Sequence, residues 1–195
     1  MDGSTIDHRE FLNASATTTI LLKSGTSFLQ RSPLFEGLTE EECRSVAHCS
    51  ELREYRRGEV IFQNGDPACS VLMLVFGKVK IAQSSRNGKE VILRMDGRGD
   101  LLTFPGVQRG LAHTYSAMGI ETSHVLTWDA ADFEELQHSI PRIQSNGVAI
   151  LRQRMLQLET SFLELATEAV AQRLSRLLLR IAEGQDTAIS KVNMT

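Results

Sequence analysis

Between residues 59 and 128 the apolar positions come in short runs broken by turn residues. Glu59-Val60-Ile61-Phe62 stops at Asn64-Gly65-Asp66-Pro67, a strong turn cluster. Val71 to Phe76 is one unbroken apolar run, as a strand buried on both faces would be. Lys78-Val79-Lys80-Ile81 alternates like a half-buried strand. Asn87-Gly88 favours a tight hairpin because both residues tolerate positive φ. Val91-Ile92-Leu93, Tyr115 to Glu121 and Val125 to Trp128 supply further strands. Short strands with glycine at the corners predict a compact barrel or roll.

On either side the pattern is helical. Residues 1–26 are polar and weakly patterned, an arm before the packed part that begins near Phe28, Leu29 and Pro33-Leu34-Phe35. Thr39-Glu40-Glu41-Glu42 is a capping box, so a helix over about 39–49 is expected, with Cys43, Val46 and Ala47 on one face. After Trp128 the period changes. Ala131 to Leu136 reads as a helix, and Pro141 suits the first turn of a longer one. Val148, Leu151, Met155, Leu158, Phe162 and Leu165 then recur at spacings of 3, 4, 3, 4 and 3. That is a narrow heptad seam, of the kind that meets a second helix. A helix on its own domain shows a wider apolar stripe. The twin helix of a homodimer is the simplest partner. Ile150 and Leu163 lie off the seam and are expected to face the roll. Thr167 is read as the cap of another helix, with Val170, Leu174, Leu177, Leu178 and Ile181 on its apolar face and Gly184 at its end. Arg173, Arg176 and Arg180 decorate that helix.

Composition changes this picture little. At 195 residues the chain can bury roughly 70% of its unfolded surface without staples. A net charge of −3 neither advertises nor excludes nucleic acid, because a basic patch can hide in a near-neutral total. Three cysteines, Cys43, Cys49 and Cys69, fit a reducing cytoplasm better than a disulfide framework. No apolar run approaches the ~20 residues of a membrane span, so no membrane partner is expected.

The order of these parts carries a resemblance. RRGEVIFQNGDPACSVLMLVFGKVKI, residues 56–81, resembles the β-roll signature of cyclic-nucleotide-binding domains, with Gly58-Glu59, Gly65-Asp66 and Gly77 at its corners. Followed by a long seam helix and by ATEAVAQRLSRLLLRIAEG, residues 166–184, it resembles the CRP/FNR family of bacterial transcription regulators. The resemblance implies an α+β chain built on a double-stranded β-helix, a jelly-roll-like and cupin-like β-roll. Its divisions would be an arm over 1–26, the sensor roll over 27–140, a dimerisation helix over 141–166 and an incomplete DNA-binding domain over 167–195. The family continues into a winged helix-turn-helix whose second helix enters the major groove. The run ends at Met194-Thr195, where the first helix of that motif would start. This chain is therefore expected not to read DNA itself. Promoter DNA and RNA polymerase would be partners of a full-length parent, in which Arg173, Arg176 and Arg180 would touch the DNA backbone.

The same resemblance locates an effector pocket at Gly99, Asp100, Leu101, His113 and Thr114. Cyclic-nucleotide binders of this fold carry a Gly-Glu pair for the ribose and an arginine for the cyclic phosphate. Counting back from Asp132-Phe133, the arginine position falls on His113, followed by Thr114, while Gly99-Asp100 takes the Gly-Glu place. A neutral imidazole is a poor substitute for a permanent bidentate cation, so cyclic AMP is disfavoured. Gly99-Asp100-Leu101-Leu102 and Ile120-Glu121-Thr122-Ser123 look more like the fumarate-and-nitrate-reduction branch. Its iron–sulfur cluster is disfavoured too. No cysteine precedes Cys43, and Cys43 and Cys49 stand about 120° apart around one helix. Haem would need an axial ligand such as His48, His113 or His124, and the effector stays open. A metal-dependent cupin enzyme lacks its His-x-His pair here, so no enzyme is expected. The other reading kept is a cyclic-nucleotide-binding regulatory module of another signalling protein.

Overall fold

The computed structural model describes residues 27–30, 32–85, 87–103, 111–167 and 175. Helix α1 (Ser27–Gln30) and a 3-10 turn at Pro33–Phe35 lead into helix α2 (Glu40–His48). The capping box forms in full. Thr39 Oγ1 accepts from Glu42 N–H at 3.2 Å, and the Glu42 carboxylate accepts from Thr39 N–H at 2.7 Å. Seven strands follow: β1 (Glu51–Tyr55), β2 (Val60–Phe62), β3 (Ser70–Phe76), β4 (Val79–Ser84), β5 (Glu90–Asp96), β6 (Ser116–Gly119) and β7 (Ser123–Asp129). Helices α3 (Ala130–Ser139) and α4 (Pro141–Thr167) close the described chain.

The strands form two antiparallel sheets, ordered β1-β7-β3 and β2-β6-β4-β5. This is the expected jelly-roll-like roll of an α+β chain. Its core has two compartments because strand side chains alternate between faces. On β3, Val71, Met73 and Val75 face the helices, while Leu72 and Leu74 face the roll interior. That two-sided burial is why the run reads as uniformly apolar. Trp128 anchors the helical compartment. Its indole donates to Val46 O at 2.8 Å, and its ring lies 5.7 Å from Phe35 and 5.8 Å from Phe133. Phe62, Leu74, Val79, Ile81, Leu102, Ala117 and Val125 fill the roll. Gly77 has a φ of 94°, and a Cβ there would stand 2.6 Å from Thr122 O, so only glycine fits that corner.

Asn87-Gly88 does turn the chain tightly from β4 into β5, with Ser85 N–H donating to Lys89 O, Gly88 N–H to Ser85 O and Gly88 at a φ of 78°. Three readings need correction. Strand β1 went unassigned: its sequence, ELREY, is mostly polar, and its register on β7, from Glu51 opposite Thr127 to Tyr55 opposite Ser123, makes it a strand. Thr167 does not cap a new helix. It is itself helical, within α4, and its hydroxyl donates back to Leu163 O at 2.8 Å. Leu163 does not face the roll. It is exposed, because 13 residues separate it from Ile150, which turns it about 140° away. Ile150 does pack on the helical compartment. Ser175 apart, residues 168–195 lie outside the described residues, and with them Arg173, Arg176, Arg180 and the apolar face of residues 170–181. No described helix is long and apolar enough to cross a membrane.

Candidate effector site

Two segments frame the region expected to hold an effector. The first, residues 99–103, runs along the free edge of β3. Gly99 N–H donates to Leu74 O at 2.7 Å, Leu74 N–H to Asp100 O at 2.9 Å, and Leu102 N–H to Leu72 O at 2.9 Å. Thr103 completes the ladder, its hydroxyl accepting from Leu72 N–H at 2.9 Å. Gly99, with a φ of 90°, allows the turn that enters it. Asp100 closes that turn, its carboxylate accepting from Gly97 N–H at 2.8 Å. Leu101 is buried and bridges Met73.

The second segment carries His113. The Asn64-Gly65-Asp66-Pro67 turn grips its backbone, Gly65 N–H donating to His113 O at 2.8 Å and His113 N–H to Asp66 O at 2.9 Å. The imidazole stacks on Phe62, with centroids 3.9 Å apart and planes 19° from parallel. Burial holds it below the ordinary imidazole value, and Asp66 offsets part of that. The ring is therefore neutral near pH 7. Thr114 beside it is exposed. The Tyr115 hydroxyl donates to Leu102 O at 3.0 Å and joins the two segments. Residues 104–110, including Arg109, lie outside the described residues.

Beneath residues 99–103 lies a buried charge cluster that the sequence reading passed over. Arg94 Nε donates to both oxygens of Asp96, at 2.9 and 3.0 Å, and its Nη2 reaches Leu102 O at 3.3 Å. The same guanidinium sits over the Tyr115 ring, 5.2 Å from its centroid. Arg154, from the middle of α4, donates to Leu101 O at 2.6 Å. Burial pushes the Asp96 carboxyl up, and Arg94 pulls it back. Burial, then the like charge of Arg94, lowers Arg154. The helix is thus tied by one guanidinium to the segment that holds Asp100. One signal was available: Arg94 and Asp96 are two apart on a strand and share a face.

The other candidate ligands are scattered. Cys43 is buried, and burial, with Glu42 adding, pushes its thiol up. Cys49 and Cys69 are exposed. His48 ends α2. His124 is buried on β7, with Nε2 3.4 Å from Glu54 Oε2 and its ring edge-on to Phe76. Among the described residues, no three of His, Cys, Asp and Glu are grouped to hold a metal ion.

The chain matches the family model of the cyclic nucleotide-binding domain over residues 52–139. Its class is therefore a cyclic-nucleotide-binding-type β-roll. It is 31% identical over 157 residues to the probable transcriptional regulator flp of Lacticaseibacillus casei, covering 80% of this chain and 71% of that protein. It is 26% identical over 153 residues to the cyclic AMP receptor protein of Thermus thermophilus, covering 78% and 71%. Among solved structures, the Thermus thermophilus catabolite activator protein superposes with a TM-score of 0.62 at 28% identity, over 69% of this chain and 63% of that one. The sensor domain of the regulator DNR from Pseudomonas aeruginosa shares the fold, with a TM-score of 0.61 at 19% identity over 74% of this chain and 94% of that one. The chain belongs to the CRP/FNR family of transcription regulators.

Proposed function

We propose that this chain is the sensing and dimerising part of a CRP/FNR-type regulator whose effector is not a cyclic nucleotide. The observation that carries the effector reading is His113. Where the family's nucleotide binders need a permanent cation for the phosphate, this chain has an imidazole kept neutral by burial and stacked flat on Phe62. Asp100, in the ribose-binding place, is engaged by its own turn. The effector region is Gly99, Asp100, Leu101, His113 and Thr114, extended by Tyr115 and by the cluster of Arg94, Asp96 and Arg154. Dimerisation runs through Val148, Leu151, Met155, Leu158, Phe162 and Leu165, all exposed on α4. An effector acts by shifting the population of helix positions through the contacts that tie α4 to the roll. In the whole regulator, promoter DNA and RNA polymerase are the downstream partners, Arg173, Arg176 and Arg180 meet the DNA backbone, and the cytoplasm is the compartment. Calorimetric titration with cyclic AMP and cyclic GMP tests the effector reading. No heat of binding is expected up to millimolar nucleotide, and submillimolar binding of either would overturn it.

A further inference from the structure

The outward face of the sheet β2-β6-β4-β5 is less polar than its exposure suits. Phe62, Val79, Ile81 and Ala117 turn into the roll, so the residues that alternate with them turn out. The register sets one row across all four strands: Val60 opposite Met118, Met118 opposite Lys80, and Lys80 opposite Met95. A bulge between Val60 and Phe62 puts these two on opposite faces. Val60 is 37% exposed, and Met118 and Met95 are half-buried. Lys80 stretches to the edge, where its ammonium meets Glu90 at 2.6 Å, and leaves its stem across the row. Leu93, 38% exposed, is the unpaired residue of a second bulge, between Ile92 and Arg94. An antiparallel sheet that meets water on one side is ordinarily polar there. A contiguous apolar patch on such a face marks an interaction surface.

The sheet is open on the side of β5, the last strand in its order. The described chain starts beside that edge. Ser32 Oγ donates to Gly99 O at 3.3 Å, and Gly99 stands three residues past Asp96, the end of β5. Leu29 of α1 is buried, which fixes where the chain enters. Leu22 stands five residues before Ser27 and ends the tract Thr17-Thr18-Thr19-Ile20-Leu21-Leu22. Those five steps span up to about 17 Å, and Met95 lies at most roughly 13 Å back along the chain from Gly99. The tract is uncharged and rich in β-branched residues, a composition that suits a pleated surface.

We propose that Ile20, Leu21 and Leu22 lie over this row, so that the chain's own arm covers the sheet opposite the helices. The covering tract then passes the turn at Gly97–Gly99 that opens the effector segment, and its release exposes an apolar face beside that turn.

Trypsin cleavage after Lys23, which follows the tract, tests the cover on the full chain, each rate taken relative to a synthetic peptide of residues 17–28. Val60→Glu on the face and Leu21→Ser on the arm are each expected to speed cleavage by roughly tenfold or more, as the covered population falls. Leu21→Ser changes no residue of the roll, so the test stands even where Val60→Glu fails to fold. An unchanged rate in Leu21→Ser, or a wild type cut as fast as the peptide, overturns the cover. Peroxide reads the face itself, because thioether oxidation follows exposure. Met95 and Met118 should oxidise several-fold faster in Leu21→Ser than in the wild type, measured by mass spectrometry. Equal oxidation places the tract elsewhere and contradicts the inference. Protection at Lys23 that grows with protein concentration assigns the cover to a second copy and overturns it as well.

Discussion

Two faces of the same helix, α4, differ in what covers them. On one, Ile143 and Ile150 sit in the compartment anchored by Trp128, and Asn146, Arg142 and Arg154 donate to backbone carbonyls of the roll and its leading turn. On the other, six large apolar side chains at heptad spacing are exposed among the described residues. The first face is explained by the monomer. The second is a contiguous exposed apolar stripe, which in a folded protein marks an interaction surface. The covered face relies on polar bonds to carbonyls as much as on apolar burial. The uncovered face carries an apolar seam flanked by exposed polar residues such as Arg152 and Glu159. A helix built this way can stay docked on its roll while its other face changes partner or position, which suits a helix that reports on a sensor.

Substitutions can break this contrast from either side. The largest effect belongs to the covered face. Ile143→Ala leaves a cavity against Leu34, Phe35 and Trp128 and should cost about 2–5 kcal/mol of unfolding free energy, read from urea denaturation. If it proved neutral, the packing of α4 on the roll would be misassigned. Next comes Leu158→Glu on the open face. It should weaken dimerisation by about 100-fold or more, while the unfolding free energy of the monomer moves by less than about 0.5 kcal/mol. A large loss of monomer stability would mean that the seam packs within the chain after all. The smallest effect lies in the roll, away from α4. Because burial lowers the His113 pKa, the unfolded chain binds more protons than the folded one just below the ordinary value of about 6.5. Stability should therefore hold above that pH and fall as pH drops through the folded value. Between pH 7 and pH 5 the wild type should lose more unfolding free energy than His113→Gln. Equal losses would remove His113 from the account of the roll interior.

What was legible in the sequence was local. The apolar run at β3, the capping box at Thr39 and the heptad on α4 are each written within a few turns or one strand, and each appears as read. Strand β1 was hidden because Glu51, Arg53 and Glu54 carry no apolar alternation, and only its partner β7 makes it a strand. Thr167 misled because threonine suits a helix start as well as a back-bond to the preceding turn. The sequence puts His113 at the arginine position only through the resemblance, and its stack on Phe62 needs the turn at Gly65-Asp66 to bring β2 against it. The charge cluster was least legible. Arg94, Leu101 and Arg154 meet only after the chain has passed through β6, β7 and α3, and no short pattern encodes that.

On the proposed reading, α4 keeps its roll-facing side docked and offers its seam to a second copy. Sedimentation equilibrium of the wild-type chain beside Leu158→Glu tests it most directly. A wild-type dimer at micromolar concentration is expected, beside a folded, monomeric variant with the same far-ultraviolet dichroism. A wild type that remains monomeric at high micromolar concentration, or a variant that dimerises as well as the wild type, would contradict it.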